Sequence, residues 1–239
     1  MKISISIVSH GQGELVKKLL DDLRRYQWSD FEIILTINIP ESVDFISDFA
    51  DLDITVIQNP FPKGFGDNHN SAFSRSNGDI FLVLNPDIRA PDLNFTNVSK
   101  ILSAKEIGVC GVKVLNGGGG IEDSARRFPT ILSLFRRKFF PGIDVDYDLD
   151  VSGVVKVDWV AGMFMAFSSG VYRSVGGFDE QYYMYMEDAD ICRRLARRGY
   201  LSVVDCSTVV IHDAQRASRK SLRHFRWHLR SALRFLVGI

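Results

Sequence analysis

Two acidic segments and one histidine sit where apolar runs of the chain stop. Asn85-Pro86-Asp87 ends the run Phe81-Leu82-Val83-Leu84. A carboxylate at the carboxyl end of a strand can hold a hard divalent cation, Mg²⁺ or Mn²⁺, which takes oxygen ligands and shares them with substrate phosphates. Pro86 restricts the backbone so that Asp87 projects in one direction. Asn, Pro and Asp also build ordinary turns, and a plain turn accounts for the same residues. Glu187-Asp188 follows the aromatic run Tyr182-Tyr183-Met184-Tyr185. A carboxylate among rings and beside a second carboxylate has the surroundings of a general base. Acids at a helix start are equally favoured by the helix dipole alone. His212 can ligate a metal or hydrogen-bond a diphosphate, although a lone histidine is more often a surface or internally satisfied residue. Arg216, Arg219 and Lys220 follow it, and arginine suits phosphate oxygens. Gly64-Phe65-Gly66 opens the segment GFGDNHN. Glycines ahead of a helix let backbone approach a ligand. The spacing lacks the full dinucleotide fingerprint and follows a third strand, which argues against an NAD site.

These groups need a scaffold. Ile3 to Ser9 reads as a buried strand, and Leu15, Leu19 and Leu23 then recur at helical spacing. Phe31 to Ile37 and Ile54 to Ile57 read as strands. Asp67 is expected to cap a helix to about Ser76. Ile80 to Leu84 is a fourth strand. Strand and helix alternate, which predicts an α/β fold with a mostly parallel sheet and helices on both faces. Ligands in such sheets bind beyond the carboxyl ends of the strands. Ser9, His10, Asn38, Asn85 and Asp87 are therefore expected to share one crevice. Further on, the pattern predicts a strand near Val109 to Leu115 and a mobile loop over Gly117 to Gly120. A long strand from Val157 to Phe167, interrupted by Gly162, is expected next. A helix is expected from Glu187 to about Arg198, stopped by Gly199. Two short strands (Leu201 to Val204, Thr208 to Ile211) and a final helix from about Ser218 to Val237 complete the chain. No repeat or clear linker interrupts it. One domain over 1–239 is expected: a nucleotide-binding half (1–115), an acceptor and catalytic half (116–217) and a C-terminal helix (218–239).

Composition narrows the class. The chain has 239 residues, 46% hydrophobic and 24% charged, which excludes a disordered chain, a collagen and a disulfide mini-protein. Basic and acidic residues number 29 each. They are unevenly placed: the balance is −6 over 1–124, −3 over 125–192 and +9 over 193–239. In the last segment Leu222, Phe225, Leu229, Ala232, Leu233 and Leu236 follow helical spacing. Arg219, Arg223, Arg226, Arg230 and Arg234 run beside them. Such a basic amphipathic helix either lies on an anionic membrane or packs its apolar face on the domain. Arg126-Arg127-Phe128-Pro129 and residues 134–141 form a second basic, aromatic patch. A neutral total, an acidic body and no recognised binding motif argue against nucleic acid as a partner. Cys110, Cys192 and Cys206 form no CxxC pair, as expected in a reducing cytoplasm. No apolar run approaches the ~20 residues of a membrane span, and the first residues lack a signal-peptide pattern.

In order, IVSHG, GFGDNHN, FLVLNPD, DWVAGMFMAF, GGFDEQYYMYMEDADICRRL, IHDAQRAS and FRWHLRSALRF resemble an inverting family-2 glycosyltransferase with the single-domain GT-A fold. The resemblance covers most of the chain and is strongest to bacterial rhamnosyltransferases of O-antigen assembly. It implies a Rossmann-like mixed, mostly parallel sheet flanked by helices. It also implies Mg²⁺ or Mn²⁺ and a nucleotide-sugar donor, dTDP-L-rhamnose. The acceptor would be a lipid-linked saccharide on undecaprenyl diphosphate, reached by peripheral contact at the inner face of the cytoplasmic membrane. By the same resemblance Asp87 binds metal and diphosphate, with Asn85 in place of the motif's first acid, and His212 is a further metal ligand. Asp188 is the base and Glu187 its neighbour. Ser9, Asn38, Gly66 and Asn70 line the nucleotide, with His10 and Arg216 on the same binding side. One departure is Ile37, where many relatives carry Asp. A different nucleotide sugar is an alternative, and so is a non-catalytic subunit of the same fold, for which Asn85 leaves room. A nucleotidylyltransferase would want a basic Gly-rich loop after the first strand, whereas His10-Gly11-Gln12-Gly13-Glu14 is acidic.

Overall fold

The computed structural model describes residues 1–26, 30–91, 93, 95–133, 146–213 and 222–238. Arg216, Arg219, Lys220, the start of the final helix and the 134–141 part of the basic patch lie outside the described residues. In chain order the first half holds β1 (Ile3–Ser9), α1 (Gly13–Arg24), β2 (Phe31–Ile37), β3 (Ile54–Gln58), α2 (Phe65–Phe73), β4 (Ile80–Leu84), β5 (Ile88–Arg89), α3 (Phe95–Leu102) and β6 (Ile107–Asn116). The second half holds β7 (Ala125–Arg126), β8 (Val154–Val157), β9 (Trp159–Val160), β10 (Phe164–Ser168), α4 (Ser169–Val175), α5 (Glu187–Arg197), β11 (Leu201–His212) and α6 (Leu222–Val237).

Among the described residues the main sheet has nine strands in the order β3-β2-β1-β4-β10-β6-β11-β5, with β8 also on β11. β3, β2, β1 and β4 are mutually parallel. β10 runs antiparallel between β4 and β6, and β6 is parallel to β11. The carboxyl ends of β1, β2, β4, β6 and β11 therefore share one edge. The central strands are buried on both faces, β4 as an unbroken apolar run and β1 with Ser4 and Ser6 between its isoleucines. Ile3, Ile5 and Ile7 face the cluster under α1 and α3, and Phe81, Val83 and Phe167 face a second cluster under α4 and α5. On that second face Ser6 Oγ meets His69 Nδ1 of α2 at 2.8 Å. Burial pushes the His69 pKa down to about 3, so this imidazole is neutral.

Several elements differ from the periodicity. The run from Val157 to Phe167 is three pieces: β8 ends at Val157, β9 pairs with β7 in a separate two-stranded sheet, and β10 starts at Phe164. Between β9 and β10, the Ala161 N–H is taken by the Ser124 carbonyl and the Gly162 N–H by a side chain. The two short strands after Gly199 are one, β11, with a register shift between Asp205 and Val209. Such a bulge breaks the alternation that a sequence reading relies on. α2 begins at Phe65, ahead of Asp67, with Gly64 at its cap. The Gly117–Gly120 segment is a compact turn in which Asn116 Oδ1 accepts the N–H groups of Gly118 (2.9 Å) and Gly120 (3.1 Å). In α6, Ser231, Ala232 and Phe235 are buried on the domain, while Phe225, Leu229, Leu233 and Val237 are exposed. The helix thus has one apolar contact inward and a second apolar stripe outward.

Candidate active site

β4 ends at Leu84, and Asn85-Pro86-Asp87 turns the chain into β5. β5 pairs with the last residues of β11, placing His212 opposite Ile88. The Asp213 N–H donates to the Asp87 carbonyl at 2.8 Å. This ladder brings His212 Nε2 to 3.1 Å from Asp87 Oδ2, while His212 Nδ1 lies 2.7 Å from Glu122 Oε2. Burial disfavours a charged imidazole, but hydrogen bonds to Asp87 and Glu122 outweigh it and push the pKa up to about 9. Asp87 Oδ1 is buried and has no hydrogen-bond partner among the described residues. An acceptor buried without a donor suits a cation. Among the described residues no group of three or more His, Cys, Asp or Glu is spaced to enclose a metal. Asp87 and His212 could supply two ligands and would leave the rest of a coordination sphere to water and phosphate, the arrangement Mg²⁺ takes more readily than an all-protein cage.

Asp188 lies in the first turn of α5. Its Oδ2 accepts the Gly162 N–H at 3.0 Å and its Oδ1 the Ala189 N–H at 2.8 Å. Residue 163 continues the connection, because the Met163 carbonyl accepts the Asn85 N–H at 3.0 Å. Burial pushes the Asp188 carboxyl up to about 6, against the pull of the Ala189 and Gly162 N–H groups and the Arg126 charge. Arg126 is held by Asp123 at 2.8 Å and sits 5.4 Å from the Trp159 ring. Glu187 is buried, and its Oε2 has no hydrogen-bond partner among the described residues. Burial, then the Asp188 charge, raises its pKa well above the ordinary glutamate value. Tyr185 (φ 71°) and Met186 (φ 68°), just ahead of the pair, adopt left-handed backbone. Such strain, about 1–3 kcal/mol per residue, persists only where surroundings enforce it and clusters at functional sites.

The nucleotide-side candidates are placed as follows. Ser9 ends β1 and is buried, its Oγ accepting the Gln12 N–H at 3.1 Å. His10 is exposed, with Nδ1 3.2 Å from Asn38 Nδ2. Asn38 Oδ1 accepts the Lys63 N–H (2.8 Å) and Asn59 Nδ2 (2.9 Å), so its amide ties β2 to the 59–63 loop. A cavity of about 370 Å³ lies beyond them, lined by residues 11–15, Glu41, Ser42 and Phe45. Glu41 accepts the N–H groups of Gly11 and Gly13 there, at the start of α1. Gly66 and Asn70 lie in α2. A Cβ on Gly66 would stand 2.7 Å from Phe178 Cβ, so this glycine permits close packing. Asn70 Oδ1 accepts from the Tyr172 hydroxyl (2.7 Å) and the Phe178 N–H (3.0 Å). Its amide donates to the Phe178 carbonyl (2.9 Å) and Glu180 (3.0 Å). These contacts clasp α2 to the 177–180 turn.

Glu122, Arg126 and Gly162 were not legible as site residues. Glu122 lies in IEDSARR, a segment without periodicity, and Gly162 looks like a strand interruption. Only the fold shows that the interruption supplies an N–H to Asp188.

The family model for glycosyl transferase family 2 matches residues 4–161. Rhamnosyltransferase WbbL of Escherichia coli (strain K12) is 31% identical over 98% of this chain and 92% of its own length. An N-acetylglucosaminyl-diphospho-decaprenol L-rhamnosyltransferase of Mycobacterium tuberculosis is 40% identical over 34% of this chain and 27% of its own length. Among solved structures, GalNAc-T7 with UDP, GalNAc and Mn²⁺ superposes with a TM-score of 0.68 at 12% identity, over 89% of this chain and 43% of that one. The mannosyltransferase PcManGT of Pyrobaculum calidifontis, in complex with GDP-Man and Mn²⁺, gives 0.65 at 16% identity, over 98% of this chain and 64% of that one. These structural likenesses concern the fold, a GT-A glycosyltransferase fold with a mixed, mostly parallel sheet. By the match of the family model and the near full-length relative, this chain belongs to glycosyl transferase family 2.

Proposed function

We propose that this glycosyltransferase moves L-rhamnose from dTDP-L-rhamnose onto a lipid-linked saccharide on undecaprenyl diphosphate, with inversion at the anomeric carbon, in O-antigen or another surface polysaccharide. The observation that supports the reading is the link from the Asp188 carboxylate through Gly162-Met163 to Asn85, at the start of the Asn85-Pro86-Asp87 turn. A sugar hydroxyl is a weak nucleophile, and Asp188 takes its proton as it attacks. The two backbone N–H groups on Asp188 fix the carboxylate and leave its remaining lone pairs for that proton. Attack opposite the leaving nucleoside diphosphate inverts the centre through an oxocarbenium-like state. Asp87 and His212 would hold Mg²⁺ or Mn²⁺, which when bound offsets the charge growing on the diphosphate. Ser9, His10 and Asn38 shape the nucleotide side; Gly66 and Asn70 support it through α2, and Arg216 would add a phosphate contact. Residues 1–115 serve the nucleotide, 116–217 the acceptor and base, and 218–239 the surface contact.

Rhamnose is supported by the two relatives, both rhamnosyltransferases. Membrane contact is supported by the outward stripe of α6, Phe225, Leu229, Leu233 and Val237, beside exposed Arg223, Arg226 and Arg230. Each basic residue near an anionic surface contributes about 1 kcal/mol, enough in sum for reversible docking at the inner face of the cytoplasmic membrane. Among the described residues no helix is long and apolar enough to cross a membrane.

The test is a panel of nucleotide sugars with a lipid-linked acceptor and Mg²⁺ or Mn²⁺, read by mass spectrometry. A deoxyhexose added only from dTDP-L-rhamnose is expected. Transfer from another donor replaces the rhamnose assignment, and no transfer from any donor favours a non-catalytic subunit.

A further inference from the structure

We infer that Glu122 is the positioning residue that fixes the His212 imidazole for cation binding at Asp87. Each nitrogen of His212 has one carboxylate neighbour: Nδ1 faces Glu122 Oε2 at 2.7 Å and Nε2 faces Asp87 Oδ2 at 3.1 Å. A ring held by its Nδ1–H presents Nε2 in one orientation, and ligating histidines characteristically give their second nitrogen to such a carboxylate. Glu122 is itself anchored. Its N–H donates to the Val114 carbonyl at 2.8 Å, beside the end of β6, and Ile121 forms a bridge with Leu115. Two residues on, the Ser124 carbonyl accepts the Ala161 N–H at 2.8 Å. The carboxylate therefore projects from a backbone tied at both ends, and rotation of His212 away from Asp87 would strand it. The unpartnered Asp87 Oδ1 marks the side on which a cation would complete the group.

Glu122 stands apart from the motifs, and its role rests on the metal reading proposed above. The experiment separates the two. Free Mn²⁺ is counted by electron paramagnetic resonance during titration of the full chain in the presence of dTDP, for wild type, Glu122→Ala, Glu122→Gln, His212→Ala and the Glu122→Ala/His212→Ala double variant. Thermal melting checks that each is folded. Loss of a hydrogen-bonding partner behind a metal ligand weakens the metal by about 10- to 100-fold, and Glu122→Ala is expected in that range. Glu122→Gln, whose amide oxygen still accepts from Nδ1–H, recovers most of the affinity. The double variant binds no more weakly than His212→Ala, because Glu122 acts only through the imidazole. Wild-type affinity in Glu122→Ala, no recovery in Glu122→Gln, or a fully additive double variant overturns the inference while leaving the metal site standing. A wild-type protein that takes up no Mn²⁺ overturns the metal reading and this inference together.

Discussion

Asp188 and Asn85 are bridged by one dipeptide. Gly162 gives its N–H to the Asp188 carboxylate at 3.0 Å, and Met163 takes the Asn85 N–H on its carbonyl at 3.0 Å. The Asp188 carboxylate and the turn carrying Asp87 are thereby tied to the same short piece of backbone between β9 and β10.

The Asp188 carboxyl, raised by burial to about 6, must be ionised to accept a proton. The turnover number is expected to fall as pH drops below about 6 and to level off above it. Arg126 favours the ionised form, so Arg126→Gln raises the Asp188 pKa and moves this acid limb to higher pH. Turnover measured from pH 5 to 8 at saturating substrates checks both. An unmoved limb in Arg126→Gln removes the electrostatic role of Arg126.

Glu187 holds its proton in the folded chain at pH values where an unfolded glutamate has lost it. The folded state then binds more protons than the unfolded one, so stability falls as pH rises above the unfolded carboxyl range. Glu187→Gln keeps the neutral shape and removes that dependence. Urea unfolding at pH 5 and pH 8 is expected to show a smaller difference for the variant than for wild type.

The strand carrying Asp87 into β5 is pinned from α1. Arg89 makes a paired contact with Asp22, Nε–Oδ2 at 2.6 Å and Nη2–Oδ1 at 2.7 Å, and Asp22 is buried. Arg89→Met leaves that carboxylate with the Ala90 N–H and the more distant Arg25 guanidinium at 3.9 Å. Removing one partner of a buried pair costs about 3 kcal/mol or more. Calorimetry is expected to show a clearly lowered melting temperature. An unchanged one means that Asp22 tolerates the loss.

The outward stripe of α6 predicts surface binding without loss of fold. Leu229→Ser with Leu233→Ser changes two exposed side chains and leaves Ala232 and Phe235 in place. Sedimentation with phosphatidylglycerol vesicles is expected to drop several-fold, while melting stays as in wild type. Truncation before Ser218 gives the same loss. Equal sedimentation assigns the helix to the domain alone.

The strands β1, β2 and β4 were legible because apolar, β-branched runs end at Gly, Asn or Pro, and the strand-end rule then gathered Ser9, Asn38, Asn85 and Asp87. His212 was linked to Asp87 only through the family resemblance, as a second metal ligand, and not through any pattern in the residues. Its contact with Asp87 depends on the two-residue strand β5, too short to leave a pattern. β11 was split in the reading because its bulge shifts the alternation between Asp205 and Val209. Asn70 illustrates a different limit. An asparagine in a Gly-rich opening looks available to a ligand, and only tertiary packing shows its amide spent on Tyr172, Phe178 and Glu180. The left-handed pair Tyr185-Met186 has no sequence signal, since neither residue type favours that backbone.

The central claim is that Asp188 removes the acceptor's proton. Single-turnover transfer by Asp188→Asn, with donor affinity measured in parallel, tests it most directly. General-base catalysis contributes about 10²- to 10⁴-fold, so the account predicts a loss of that size with donor affinity unchanged. Transfer at a near wild-type rate would contradict it.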